Sequence, residues 1–293
     1  MQNAAIILTL NESIHLERCI RSIRPCFQKI YVVDSYSSDE TKKIADNLSV
    51  IFLEHKFINH SEQFNWSLKQ IDKNIDWVLR IDADEYLTPS LIKEINEKLP
   101  TINTSIKGIF LKRDIIFQDQ LIRFGSIKSK KVLRLFRYGF GKSDGRIMDE
   151  HIIVKGNLVS FSNKIIDHNL KPISWWISKH NSYANKEVLQ LLKNDYSKIK
   201  NQNKTSLISD RKKKLYYKIP IFFRSFLYFI FRYFLYLGFL DGFKGFCFHF
   251  MQGFWYRLLV DIKYLEIKQK INFKKVPLKE AIKETLSINL DNW

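Results

Sequence analysis

Residues 78–88 read VLRIDADEYLT, an apolar run that ends directly in Asp82, Asp84 and Glu85. Three carboxylates within four residues repel one another, and their desolvation is costly unless water screens them or a cation compensates. Asp-x-Asp at a strand end is one way to hold Mg2+ or Mn2+: hard oxygen ligands supply charge while diphosphate oxygens complete the octahedron. The plain alternative is a solvated turn in which Asp84 or Glu85 caps the helix that follows. Where the stretch sits in the chain decides between them.

Working outward from it, residues 4–10 form a continuous apolar run, as in a strand buried on both faces. Asn11-Glu12-Ser13 breaks that run, and Ser13 is placed to cap a helix over 13–23 that Pro25 ends. A second strand over 29–33 closes in Asp34 and a polar loop ahead of a helix over 40–47. A third strand follows over 49–53, a helix over 62–71 and a fourth strand over 77–81. Alternating strands and helices predict a mostly parallel α/β sheet. In such sheets ligands bind beyond the carboxyl ends of the strands. Those ends here carry Thr9, Asn11 and Glu12, then Asp34, then Asp82, Asp84 and Glu85, so three polar clusters converge on one edge. That alignment favours the metal reading of Asp-x-Asp. Asp34 is suited to accept hydrogen bonds from a ribose or base, and equally to serve in an Asx-turn.

Beyond residue 90 the chain changes character. A helix over 90–98 gives way to β-rich stretches at 107–117 and 131–136, then to a polar turn, GKSDGRIMDEH (141–151), and a helix over 173–192. No G-x-G-x-x-G or G-x-x-x-x-G-K-[ST] occurs, which leaves a dinucleotide-binding Rossmann site and a Walker NTPase unsupported.

The 293 residues carry a net charge of +18, unevenly spread. Residues 1–150 hold 23 Lys/Arg against 20 Asp/Glu, and residues 151–293 hold 25 against 10. A basic second half implies an anionic partner, or reflects a composition rich in lysine without a specific one. Cys19, Cys26 and Cys247 form no C-x-x-C pair, which argues against a disulfide framework or zinc site and fits a reducing compartment. The start, MQN followed at once by a strand-like run, has no signal-peptide pattern, so a cytoplasmic location is expected.

TLNE (9–12), VVDSYSSDET (32–41), QFNWSL (63–68) and RIDADEYL (80–87), in this order and spacing, resemble family-2 inverting glycosyltransferases of the GT-A fold. Within that family the chain is similar to the bacterial enzymes that extend lipopolysaccharide core, capsule or colanic-acid glycans. The likeness continues through IMDEH (147–151) and FLDGFKGF…FWYRLLVDIKYLE (239–266). It implies a Rossmann-like GT-A domain with a mostly parallel sheet flanked by helices over 1–205, and a helical, basic and aromatic extension over 206–293. It also implies transfer from a nucleotide sugar, commonly a UDP-sugar, to a lipid-linked or lipopolysaccharide glycan acceptor, assisted by Mn2+ or Mg2+. Carried over by residue, Thr9, Asn11 and Glu12 line the nucleotide pocket, Asp34 contacts the uridine, Asp82 lies near the ribose or donor sugar, and Asp84 binds the metal. Gln63 and Asn65 steady the donor loop or simply occupy a helix surface.

An inverting displacement needs a base for the attacking hydroxyl. Glu150 ranks first and Asp149 second, because relatives show His-Glu where this chain has Asp-Glu. His151 and His168 are candidates for a late metal ligand, with a structural histidine as the alternative; His168 is the one carried forward. Glu85 is expected to face away, capping or pairing locally.

Residues 221–240, IFFRSFLYFIFRYFLYLGFL, would span ~30 Å as one helix. Arg224 and Arg232 interrupt it on one face, and a charge at mid-bilayer costs ~3 kcal/mol. With RKKK (211–214) upstream, this predicts a helix lying on an anionic membrane surface, at the inner face of the cell membrane. The alternatives are a helix packed on the catalytic domain and a true transmembrane span. Two other functions are weighed. A metal-dependent nucleotidyltransferase also gathers carboxylates at strand ends, but it calls for a Gly- and basic-rich loop after its first strand, where this chain has Asn11-Glu12-Ser13. A nucleic-acid binder accounts for the basic half, yet it gives no reason for three acidic strand ends, and no nucleic acid is expected as a partner.

Overall fold

Alternate residues of the first strand bury into opposite faces, and this is what makes β1 (Asn3–Thr9) the centre of a sheet covered on both sides. Ala5 and Ile7 pack with Leu16, Ile20 and Ile23 of α1 (Ser13–Ile23), whereas Ala4 and Ile6 pack with Phe64 of α3 (His60–Gln70). A computed structural model describes residues 1–127, 129–145, 151–200, 219–220 and 223–288. The chain divides into two compact units, one of Met1–Arg123 with Ile127–Lys171, the other of Phe124–Ser126 with Pro172–Trp293. The division expected at 205/206 lies outside the described residues.

The first unit holds the sheet. Its strands are β1, β2 (Lys29–Asp34), β3 (Ile51–Glu54), β4 (Trp77–Asp82), β5 (Glu85–Leu87), β6 (Ile106–Phe117), β7 (Gln120–Ile122), β8 (Lys130–Arg137) and β11 (Asn157–His168). They run in the order β3-β2-β1-β4-β8-β6-β11-β5, with β7 on the flank of β6; β9 (Gly141–Ser143) and β10 (Ile152–Val154) form a separate ribbon. The pairs β2–β3, β1–β2, β1–β4 and β6–β11 are parallel, while β8 and β5 run against their neighbours. The expected α/β architecture, a mostly parallel sheet flanked by helices, is therefore present. Helices α2 (Thr41–Asn47) and α4 (Pro89–Lys98) complete the layers.

Three local expectations are corrected. Ser13 does not cap α1 with its side chain; its backbone N–H instead donates to Asp39 Oδ2 at 3.0 Å, so the cap comes from the next loop. Neither Asp84 nor Glu85 caps α4, because the Thr88 side chain accepts from the Leu91 N–H. Glu85 begins a short strand and is buried; it does not cap but pairs locally, accepting from the Asp82 N–H at 3.1 Å.

The second unit is helical, as expected of the extension. Helices α5 (Ile173–Lys200), α8 (Tyr256–Asn272) and α9 (Leu278–Leu286) share a core of Ala184, Val188, Leu192, Val260, Ile267 and Ile282. Residues 223–240 are not one continuous helix. Helix α6 (Phe223–Ile230) widens into a π-helical turn, Phe231–Leu235, and breaks at Leu237, whose φ of 58° is left-handed. A short 3-10 turn, Gly238–Asp241, then leads into α7 (Gly242–His249). Arg224 and Arg232, which interrupt the apolar run, are buried. Among the described residues no single helix is long and apolar enough to cross a membrane.

Candidate active site

The parallel register sets the site. Thr9 pairs with Asp34 across β1–β2, and Leu8 pairs with Asp82 across β1–β4, so the three polar strand ends reach the same edge. Thr9 Oγ1 donates to Asp34 Oδ1 at 2.7 Å, and the Ser37 N–H and Oγ–H each donate to the same carboxylate at 2.6 Å. Asn11 turns the chain in the left-handed region (φ 55°), a conformation asparagine tolerates better than most residues. Its N–H donates to Ser37 Oγ, and its side-chain oxygen accepts from the Ser38 N–H. The Glu12 N–H donates to Thr41 Oγ1. The loops after β1 and β2 are thus laced together, which accounts for their run of small hydroxyl and amide residues.

Arg134, on β8, compensates two of the crowded carboxylates. Its Nη2 donates to Asp82 Oδ2 at 2.7 Å and to Glu85 Oε1 at 2.8 Å. Arg80 lies 3.5 Å from Asp82, and Arg113 lies 3.6 Å from Glu85. Burial works against ionisation of Asp82, but the guanidinium groups of Arg134 and Arg80 outweigh it and hold its carboxyl far below the usual range. Burial pushes Glu85 up, with the Asp82 charge adding to it and Arg134 opposing. The compensating cation for these two acids is therefore built into the fold.

Asp84 is held differently. Its Oδ2 accepts from Asn169 Nδ2 at 2.9 Å, and its carbonyl accepts from the His168 N–H at 3.0 Å. Nearby Asp167, in register with Glu85 across β11–β5, is pushed up to about 7, first by burial and then by the Asp84 charge. Among the described residues no three His, Cys, Asp or Glu side chains form a ready-made metal cage. Mg2+ and Mn2+ commonly need only one or two carboxylates when substrate phosphates and water supply the rest. Asp84 and Asp167 supply carboxylates of that kind, with Arg113 3.8 Å from Asp167 already offsetting part of their repulsion.

Residues 167–171 run on from β11 across the nucleotide edge. Lys171 Nζ donates to the Asn11 carbonyl at 2.7 Å and to Glu12 Oε1 at 2.8 Å. The Leu170 N–H donates to His15 Nε2, so Nδ1 of a neutral His15 carries the proton that bonds Glu12 Oε2. Burial raises Glu12, yet its bonds from His15 and Lys171 win and leave it below its ordinary value. Arg18 Nη1 donates to His168 Nδ1 at 3.1 Å, and His168 Nε2–H donates to Asp119 Oδ1 at 3.1 Å. With both ring nitrogens engaged, His168 here fastens this segment to α1 and presents neither nitrogen to an ion.

Gln63 is buried and spends its amide on His55 and Ser35, one residue beyond Asp34. Asn65 pairs with both backbone groups of Ser143, at 2.9 and 3.2 Å, and so ties α3 to the ribbon leading toward the MDEH turn. The Asp144 N–H donates to the His151 carbonyl at 3.0 Å. Asp149 and Glu150 themselves lie outside the described residues. Sequence reasoning missed Arg134, Arg113, Asp167, Asn169 and Lys171. For Arg134 a signal existed, since a charge between Leu133 and Leu135 inside an apolar strand demands a partner.

Comparison with known proteins bears on this site. Residues 4–148 match the family described as Glycosyl transferase family 2. A lipopolysaccharide core biosynthesis glycosyltransferase, LpsC of Rhizobium meliloti, is 29% identical over 165 residues, 53% of this chain and 58% of that protein. An uncharacterised glycosyltransferase of Rickettsia bellii is 38% identical over 92 residues, 31% of each chain, and one of Rickettsia conorii is 27% identical over 205 residues, 65% and 70%. The chain thus spans about a third of the first of these curated relatives' length in R. bellii. Among solved structures, S. aureus TarS 1–349 in complex with UDP-GlcNAc overlaps 59% of this chain and 60% of its own, with 13% identity and a TM-score of 0.40. Glucosyl-3-phosphoglycerate synthase from Mycobacterium tuberculosis with Mn2+, UDP and glucosyl-3-phosphoglycerate overlaps 39% and 44%, with 22% identity and a TM-score of 0.33. Over residues 4–148, then, the chain is a glycosyl transferase family 2 domain.

Proposed function

We propose that the protein is an inverting glycosyltransferase that moves a sugar from a nucleotide-sugar donor, a UDP-sugar in the first instance, to a lipid-linked or lipopolysaccharide glycan at the inner face of the cell membrane. The observation that carries this reading is the convergence of Thr9, Asp34 and Asp82 on one sheet edge inside a family 2 domain, with Asp84 just beyond. The relative named for lipopolysaccharide core biosynthesis supports the acceptor class.

In this reading Thr9, Asn11, Glu12 and Asp34 hold the nucleotide, and Asp82, fixed by Arg134, faces the ribose or donor sugar. Asp84, with Asp167 beside it, holds the divalent ion. When bound, that ion neutralises charge on the departing nucleoside diphosphate. Glu150, with Asp149 as the alternative, takes the proton of the acceptor hydroxyl as its oxygen attacks the anomeric carbon. Attack from the face opposite the breaking C–O bond inverts the configuration. Asn65 and Ser61, bonded to Ser143 and Gly145, position the strand that precedes Asp149 and Glu150 in sequence.

A panel of nucleotide sugars, with and without Mn2+ or Mg2+ and with membrane-extracted acceptor, tests the reading. Metal-dependent release of nucleoside diphosphate is expected. Silence across the panel, or pyrophosphate release from nucleoside triphosphates, refutes it. Asp84→Asn is expected to abolish metal-dependent turnover with an unchanged circular dichroism spectrum, and wild-type turnover in that variant ends its role as a ligand. Glu150→Gln is expected to bind donor normally and lose transfer by 100-fold or more. Full transfer in that variant moves the base to Asp149.

A further inference from the structure

Over residues 223–256 the second unit turns most of its charges inward and many of its aromatic rings outward. Between residues 223 and 256 the only Asp, Glu, Lys or Arg residues are Arg224, Arg232, Asp241 and Lys244. Arg224, Arg232 and Asp241 are each no more than 5% exposed. Arg224 Nε donates to Asp261 Oδ2 at 2.8 Å, Arg232 reaches the Gly125 carbonyl and Gln252 at 3.3 Å, and Asp241 accepts from the Phe124 N–H at 2.9 Å. Over the same stretch eleven large apolar residues from Phe223 to Phe243 are each at least 43% exposed, Leu235 reaching 71% and Phe243 78%. Water-facing surfaces rarely gather so many large apolar side chains together.

We infer that this bent helical pair is a monotopic insert whose aromatic face sits in the acyl layer of one membrane leaflet. The shape suits that depth. Helix α6, with eight residues, rises ~12 Å, close to the ~15 Å hydrocarbon of a single leaflet. The chain then breaks at Leu237 and returns, the two helical arms being bent by 72°. Nearly all its backbone is helical, so the peptide groups are satisfied without water. Tyr228, Tyr233, Tyr236 and Trp255 supply the amphipathic rings favoured where lipid meets water. In sequence, Arg211, Lys212, Lys213, Lys214 and Lys218 precede the pair within eight residues. Hydrocarbon fits this face better than a second copy of the chain, because the exposed residues of 223–243 include no charge to form a polar rim. The inference deepens the membrane-surface part of the proposed function: the partner is the lipid interior, reached by apolar contact, in addition to head-group charge.

Flotation of the full-length protein with vesicles of phosphatidylcholine alone, and with added phosphatidylglycerol, tests it at about 0.1 and 1 M NaCl. Binding to the neutral vesicles that survives high salt is expected, because apolar insertion is not screened. The triple variant Leu235→Glu, Phe239→Glu, Phe243→Glu changes exposed side chains only, and is expected to lower the vesicle-bound fraction at least tenfold at an unchanged melting temperature. Binding only to anionic vesicles, released by salt, overturns insertion and leaves the surface reading standing. Failure to bind any vesicle overturns both, and dimerisation abolished by the same variant assigns the face to a second copy.

Discussion

Asp82 and Glu85 share one guanidinium, and that sharing separates the acids of the opening motif into two kinds. Asp82 and Glu85 are answered internally by Arg134, with Arg80 and Arg113 alongside, whereas Asp167, although Arg113 lies 3.8 Å away, is still pushed up by burial and by the Asp84 charge. A different carboxylate shows what complete internal satisfaction does. Glu94 on α4 accepts from the Ser162 and Asn163 N–H groups, from Asn163 Nδ2 and from Lys98 Nζ, and so pins α4 to the irregular stretch of β11. Burial raises its pKa, but these bonds win and lower it from 4.5 to about 2. A depressed folded-state value contributes stability that is complete above pH ~4.5 and is lost as the pH falls toward ~2. Glu94→Gln is expected to cost about 1–3 kcal/mol at neutral pH and to flatten the acid limb of the stability profile over that window. Urea unfolding measured between pH 2.5 and 7 checks both. The Asp-x-Asp cluster and its place at a strand end were legible because they are local. Arg134 stands about fifty residues further on, and only the antiparallel entry of β8 beside β4 brings it to Asp82.

At the scale of elements, the first seven strands and helices could be read from apolar period and breaker residues, since each buries a face that its own sequence marks. The stretch from 223 to 240 was misread as one helix because the break has no local breaker before Gly238. It is fixed by packing: a Cβ at Gly238 would lie 2.7 Å from His249 Cδ2, and one at Gly125 only 2.0 Å from His249 Cε1. The inward turn of Arg224 was equally hidden, because its partner Asp261 lies on α8. Removing one member of a buried ion pair leaves the other uncompensated, at a cost of ~3–5 kcal/mol. Asp261→Asn is therefore expected to destabilise the second unit by about that amount, read as a lowered urea midpoint for its tryptophan emission, while the first unit's transition stays in place. An unchanged midpoint would mean that the pair is solvated rather than buried.

Across the whole molecule, the helical unit is more basic than the sheet unit, and the chain passes between them more than once. Phe124–Ser126 interrupts the sheet unit yet belongs to the helical one. There the Phe124 N–H is taken by Asp241, the Gly125 N–H by the Tyr236 carbonyl, and the Gly125 carbonyl by Arg232. A fragment ending at Lys171 lacks every one of these partners. Trypsin is expected to cut that fragment after Arg123 at least tenfold faster than it cuts the full chain, with equal rates excluding the clamp. The same clamp also imposes an order in time. During synthesis the segment leaves the ribosome about a hundred residues before the residues that hold it, an interval of ~5–20 s at ordinary elongation rates. Until the aromatic helices emerge, and with them whatever membrane they seek, the loop beside the sheet has no anchor.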